Sequence, residues 1–312
     1  MPTAIQPQNI LRDLNELWQQ LDEQQADSGG VLRACAMTLV ATARDVQDAE
    51  QVRRTLGVLM HEHPSRAVIL ATRQGSPVVA RVFAECWRPF GSTQQICSEG
   101  VEILSDPEQF DDAAQLLIPL KVPDLPSVLW CRGSSVFHLR YFDALFPIAD
   151  KIIFDSSSVT GAAAALNFLR RLRSRGFRVA DLHWTRLTGW REILAHLFDD
   201  EALKPSDVKT ARLIYGGQTP STCTLYFASW IETALPDVHV SLASEAGEPG
   251  LRSITLSTGS CDLSLTKDGS SILVHGCGRN YRSALPPEDE ESLMREELKL
   301  LGQDIVYERV LG

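Results

Sequence analysis

Residues 149–172 read ADKIIFDSSSVTGAAAALNFLRRL. The apolar run Ile152-Ile153-Phe154 predicts a strand, Asp155 to Ser158 a polar turn, and the alanine-rich segment after Gly161 a helix. Strand, polar turn and helix start make the arrangement in which α/β proteins often hold an anion. The same rhythm extends outward from about Pro107. EQFDDAAQLL, YFDALF, GAAAALNFLRRLRSRG and GWREILAHLFDD read as helices, and SVLWCRG, KIIFD and ADLHWTRL as the strands between them. Strands alternating with helices require βαβ crossovers, and so a largely parallel sheet.

Upstream, residues 10–21 place Ile10, Leu14, Leu17 and Leu21 on one helical face, with Leu11 and Trp18 beside it. VLRACAMTLVATA, residues 31–43, reads as one buried strand. A second helix carries Ala49, Val52, Leu56 and Leu59 and stops at Pro64. RAVILAT follows as a strand, and then PVVARVFAECW and QQICSEGVEIL as an antiparallel pair. Beyond the polar linker at 201–210 come ARLIYGG, helix TCTLYFASWIETAL, strand VHVSLAS, a hairpin around Asp268-Gly269 and a charged C-terminal helix from Pro287 to Leu311. The predicted fold is α/β: a mixed, largely parallel sheet flanked by helices over residues 1–200, with a smaller α+β domain over 201–312.

A length of 312 residues suits two domains, and 44% hydrophobic with 22% charged residues is the balance of a globular protein. Thirty basic against forty acidic residues leave a net charge of −10, which disfavours nucleic acid and anionic membranes as partners. The sequence has no apolar run of about 18 residues. The stretch MPTAIQPQNILRDLNELWQQL lacks the basic start and apolar core of a secretory signal. Seven scattered cysteines without a CxxC pair predict free thiols in a reducing, cytoplasmic setting.

Asp155, Ser156 and Ser157 are the first candidate site. N–H groups at a helix start favour an anion, yet the same residue types are ordinary helix caps. YGGQTPSTC at 215–223 repeats that ambiguity, with Gly216-Gly217 permitting close backbone approach. No Walker A lysine and no GxGxxG fingerprint accompanies either turn. His61 and His63 lack helical metal-ligand spacing, His275 and Cys277 with Asp262 make an incomplete set without a fourth ligand, and no metal or cofactor is expected. A Cys261–Cys277 disulfide conflicts with a two-residue turn at Asp268-Gly269, which sets Cys261 opposite Gly276 and turns Cys277 to the other face. There is no GxSxG, and no catalytic residue is assigned. Trp184, Arg186, Trp190 and Arg191 crowd into eight residues, a composition that suits either an interface or a core.

HPSRAVIL, VPDLPSVLW, ADKIIFDSS and DLHWTRLTGWREIL, in that order, resemble the glucose-6-phosphate dehydrogenase assembly protein family, OpcA. The resemblance is specific from about residue 30 to 200 and looser through ARLIYGG and the C-terminal strands. It implies a non-catalytic partner of glucose-6-phosphate dehydrogenase in the oxidative pentose phosphate pathway, acting as assembly factor or allosteric activator. The matching positions are His63 and Arg66, Asp155 to Ser157, and Trp184, Arg186, Trp190 and Arg191. The competing reading is a sugar-phosphate-binding hydrolase or isomerase at Asp155 and Gly216; a third joins the two, a partner that also senses a sugar phosphate.

Overall fold

The structure, a computed structural model of the chain, describes residues 6–25, 29–133, 143–199, 203–235 and 237–312. They form two compact units, residues 1–154 with 176–179 and residues 155–175 with 180–312. The division expected at 200/201 falls on residues outside those described, as does part of the helix expected at 141–146.

The first unit runs α1 (Pro7–Gln25), β1 (Val31–Arg33), β2 (Met37–Ala43), α2 (Val46–Glu62), β3 (Ser65–Thr72), β4 (Val79–Trp87), β5 (Gln95–Ser105), α3 (Phe110–Gln115), α4 (Leu117–Leu120), β6 (Ser127–Trp130) and β7 (Lys151–Phe154). Its sheet is ordered β5-β3-β2-β6-β7-β8, with β8 (Val179–Asp181) at one end. Pairs β5/β3, β3/β2, β2/β6 and β6/β7 are parallel, and β4 joins β5 antiparallel as the sequence predicts. All seven residues of β2 are buried, as its unbroken apolar run requires of a central parallel strand. The expected strand 31–43 is two strands: β1 pairs with β5, whereas β2 pairs with β3 and β6. The buried face of α1 is Ile10, Leu14 and Trp18, so Trp18 takes the place expected of Leu17.

This is the doubly wound order, with its switch point where β2 meets both β3 and β6. The crevice beyond the carboxyl ends of β2 and β6 is where such sheets place a ligand. Here it holds an ion pair. Asp45 caps α2 by accepting from the Asp48 N–H (2.8 Å). The buried Asp48 carboxylate accepts in return from the Arg44 N–H (2.9 Å) and from Arg132 Nη1 (2.8 Å).

Glu99, on β5, is 1% exposed. Its carboxylate accepts from Trp18 Nε1 (2.5 Å), Arg66 Nε (2.5 Å) and Arg33 Nη2 (2.6 Å), and Arg66 also donates to the Leu120 carbonyl (2.9 Å). Burial works against the charge, but these donors hold the carboxyl below its usual value. Arg66 is therefore an internal counter-ion, and His63 is the C-cap of α2, its N–H bonded to the Leu59 carbonyl.

The second unit contains α5 (Ala162–Ser174), α6 (Leu182–Thr185), α7 (Thr188–His196), β9 (Val208–Gly216), α8 (Thr222–Ala234), β10 (His239–Glu245), β11 (Gly250–Thr258), β12 (Asp262–Asp268), β13 (Ser271–Gly276), β14 (Arg279–Ala284), α9 (Glu290–Leu298) and α10 (Ile305–Leu311). Its sheet is ordered β10-β9-β11-β12-β13-β14. Only β9/β10 is parallel, because α8 carries the chain between them; the other pairs are antiparallel. The strand expected at 180–187 stops at Asp181, which caps α6 by accepting from the His183 N–H. The single C-terminal helix is two, with Asp304 capping α10.

Four of the seven cysteines are bonded, which removes the premise for reading them all as free thiols. Cys86 and Cys97 face each other across β4 and β5 and form a disulfide. Cys261 and Cys277 form another, with Cα atoms 5.4 Å apart, against the sequence expectation. Asp268 faces Ser271, so the turn is Gly269-Ser270 and the ladder ends at Leu263 opposite Gly276. Cys261 precedes β12 and Cys277 sits in the β13–β14 turn with φ 50°, so strand alternation constrains neither. Cys35, Cys131 and Cys223 are free. Among the described residues no helix is long and apolar enough to cross a membrane.

Replacing Arg66 by Ala strands a buried carboxylate, and should cost about 3 kcal/mol of unfolding free energy in urea titrations. Arg33→Ala, which removes the more exposed cation, should cost less.

Candidate functional site

Of the predicted site residues, His63 and Arg66 lie in the first unit; Asp155, Ser156, Ser157, Trp184, Arg186, Trp190 and Arg191 lie in the second, which also holds a carboxylate the sequence reading did not single out. Asp181 is 0% exposed. Its Oδ1 accepts from the Ser156 and His183 N–H groups (both 3.0 Å), and its Oδ2 from the Tyr226 hydroxyl (2.9 Å), which lies 3.1 Å from the Tyr307 hydroxyl. One side chain thus ties the Asp155 turn to α6, α8 and α10. The available signal was Asp181 standing before LHWT as a helix cap.

The turn itself is satisfied internally. Asp155 caps the 3-10 turn Ser156–Ser158 by accepting from the Ser157 N–H (3.0 Å) and pairs with both terminal nitrogens of Arg186 (2.9 Å each). Burial disfavours its charge, yet the Arg186 bonds and charge outweigh burial and lower its carboxyl from 3.8 to about 2. Both turn N–H groups point at carboxylates, so at Asp155, Ser156 and Ser157 the capping reading describes the backbone. Ser156 Oγ lies 3.0 Å from His183 Nδ1. Burial lowers the His183 pKa, with Arg186 in support and Asp181 opposing, so the ring is neutral at pH 7.

The Trp and Arg run is largely interior. Trp184 and Trp190 are each 2% exposed. Trp184 packs against Tyr226 and Tyr307 and donates to Asp304 (2.9 Å), while Trp190 meets Phe227 edge-on. Arg191 lies 3.8 Å from the centre of the Trp184 ring and donates to Thr188 Oγ1. An aromatic core built by α6, α7, α8 and α10 accounts for both tryptophans.

A cleft of about 750 Å³ opens beside this core, lined by Ser156, Ser157, His183 and Arg186, by Gly217–Cys223, by Glu248–Arg252, and by Lys267, Gly269 and Glu288, among others. Its size suits a small molecule. Lys267 pairs with Glu288 at 2.7 Å. Cys223 is half-buried at the cleft wall, and desolvation pushes its thiol up to about 12, which works against a thiolate there. Among the described residues no group of three or more His, Cys, Asp or Glu is placed to hold a metal.

Two family profiles match the chain, one described as the glucose-6-phosphate dehydrogenase subunit N-terminal domain over residues 57–172, the other as its C-terminal domain over 177–311. The chain belongs to the glucose-6-phosphate dehydrogenase assembly protein family. Two relatives carry the provisional name OxPP cycle protein OpcA. The protein from Synechococcus elongatus is 29% identical over 208 residues, covering 64% of this chain and 46% of its own; that from Synechocystis sp. is 24% identical over 300, covering 80% and 62%. This chain spans about half to three-fifths of the length of those relatives. A variant of KijD10, a 3-ketoreductase from Actinomadura kijaniata solved with TDP-benzene and NADP, shares the fold at TM-score 0.51 and 9% identity, over 88% of this chain and 93% of that one.

Arg186→Ala should lower stability by about 3 kcal/mol near neutral pH, because it leaves Asp155 charged and unpaired. A carboxyl held below its ordinary value stabilises the fold above that value and loses the effect as pH falls through its folded pKa. The gap between wild type and variant should therefore narrow between pH 3.8 and about 2, read as urea midpoints at stepped pH.

Proposed function

We propose that this chain is a non-catalytic partner of glucose-6-phosphate dehydrogenase, binding the enzyme in the oxidative pentose phosphate pathway and favouring its more active assembly or conformation. The pair of family matches across residues 57–172 and 177–311 carries this reading. To shift an equilibrium, the chain must bind the active state better than the alternative.

The crevice of the first unit supports the non-catalytic part. A dinucleotide pyrophosphate needs a glycine-rich turn and a free helix N-terminus. The turn after β2 reads Ala43-Arg44-Asp45-Val46, without glycine, and its N-terminus is taken by Asp45 and Asp48. A phosphate there would face two carboxylates. Of the residues offered as partner contacts, His63, Arg186 and Arg191 are partly exposed and have side-chain surface to give, whereas Arg66, Trp184 and Trp190 are buried.

The test is the initial rate of the same organism's glucose-6-phosphate dehydrogenase, at subsaturating substrate, titrated with the full chain. Saturable activation, with no turnover of sugar phosphates by the chain alone, is the expected result. An unchanged rate without co-elution overturns the reading, and turnover by the chain alone would favour the sugar-phosphate enzyme instead.

A further inference from the structure

The cleft of the second unit holds more polar capacity than the protein itself uses. Three cations and two carboxylates line it: Arg186, Arg252 and Lys267 against Glu248 and Glu288. Arg186 is taken by Asp155 and Lys267 by Glu288. Arg252 differs, since its guanidinium bonds only the Glu248 carbonyl oxygen (3.0 Å) among the described residues. It fits against backbone because its neighbours lack side chains. A Cβ on Gly216 would come within 3.0 Å of Arg252 Nε, and one on Gly247 within 3.0 Å of Nη2.

Other donors border the same space. Ser221 caps the thirteen-residue α8 through the Thr224 N–H, which leaves the Thr222 and Cys223 N–H groups as first-turn donors without an acceptor among the described residues. His183 spends Nδ1 on Ser156, and its Nε2 has no partner among the described residues. Among the described residues the cleft is thus lined by one cation without a carboxylate partner and by a helix start, each of which favours an anionic group. It also offers two carboxylates and an imidazole nitrogen, which suit hydroxyl groups.

We propose that this cleft binds a small phosphorylated polyol, with the phosphate on Arg252 and the first turn of α8, and the hydroxyls toward Glu248, Glu288 and His183. This anion site uses groups other than the Ser156 and Ser157 N–H groups, which are already bonded to carboxylates. The inference does not rest on dehydrogenase binding, since its readout is ligand binding by this chain alone.

Glucose 6-phosphate, glucose and inorganic phosphate are titrated separately into the full chain, with thermal unfolding and calorimetry as readouts. Glucose 6-phosphate should raise the midpoint saturably, inorganic phosphate should bind more weakly, and glucose should have no effect. Arg252→Gln should lose about tenfold or more in affinity for glucose 6-phosphate, the usual loss for a charge-assisted bond, with its unliganded midpoint unchanged. Glu288→Gln should narrow the gap between glucose 6-phosphate and inorganic phosphate, and it tests the hydroxyl end if the arginine variant folds poorly. The proposal is overturned by no saturable response to glucose 6-phosphate at millimolar concentration. Equal binding of inorganic phosphate, or undiminished binding by Arg252→Gln in folded protein, overturns it too.

Discussion

The second unit hangs on a carboxylate sealed from water. Asp181 can remain buried because three donors from separate segments meet it, and each of those donors would in turn be orphaned without it. The interaction decides where the Asp155 turn sits, how α6 leaves the sheet, and where the Tyr226–Tyr307 pair locks α8 against α10. Arg186 then closes the arrangement by neutralising Asp155. What resembles an anion-binding turn in sequence is, in space, two carboxylates capping their own backbone.

The first unit uses the same device for another end. Its strand order is that of a nucleotide-binding sheet, but the switch-point crevice is filled by Asp48 and Arg132, and Glu99 anchors α1, β1 and β3 to β5 through Trp18, Arg33 and Arg66. Fold and chemistry part company here. The sheet supplies shape, while the residues at its ligand end disfavour the phosphate that the shape would accommodate elsewhere. In the cleft of the second unit, by contrast, Arg252 and the start of α8 present donors without a carboxylate partner among the described residues.

Much of the architecture was legible because it depends on periodicity. The buried strand expected over residues 31–43 holds from Met37 to Ala43, the α2 face of Ala49, Val52, Leu56 and Leu59 is buried as its spacing predicts, and β4 pairs antiparallel with β5. The failures come where the cause is not periodic. A hairpin register two residues from the expected one preserves the same apolar faces, so alternation alone could not choose between them. The ladder then ends before Cys277, and a disulfide becomes available that pure alternation forbids.

The sequence by itself determined the α/β class, the parallel core and the family, since these rest on hydrophobic period and on ordered motifs. It also named most of the side chains around Asp155 and Trp184. Only the tertiary structure decided their roles, because a serine turn, a tryptophan or an arginine has the same sequence signature buried or exposed. Burial put Trp184 and Trp190 in an aromatic core, Arg66 on Glu99 and Arg186 on Asp155. It left Arg252 without a carboxylate partner among the described residues, in a space that Gly216, distant in sequence, and Gly247, five residues before it, keep clear for the guanidinium.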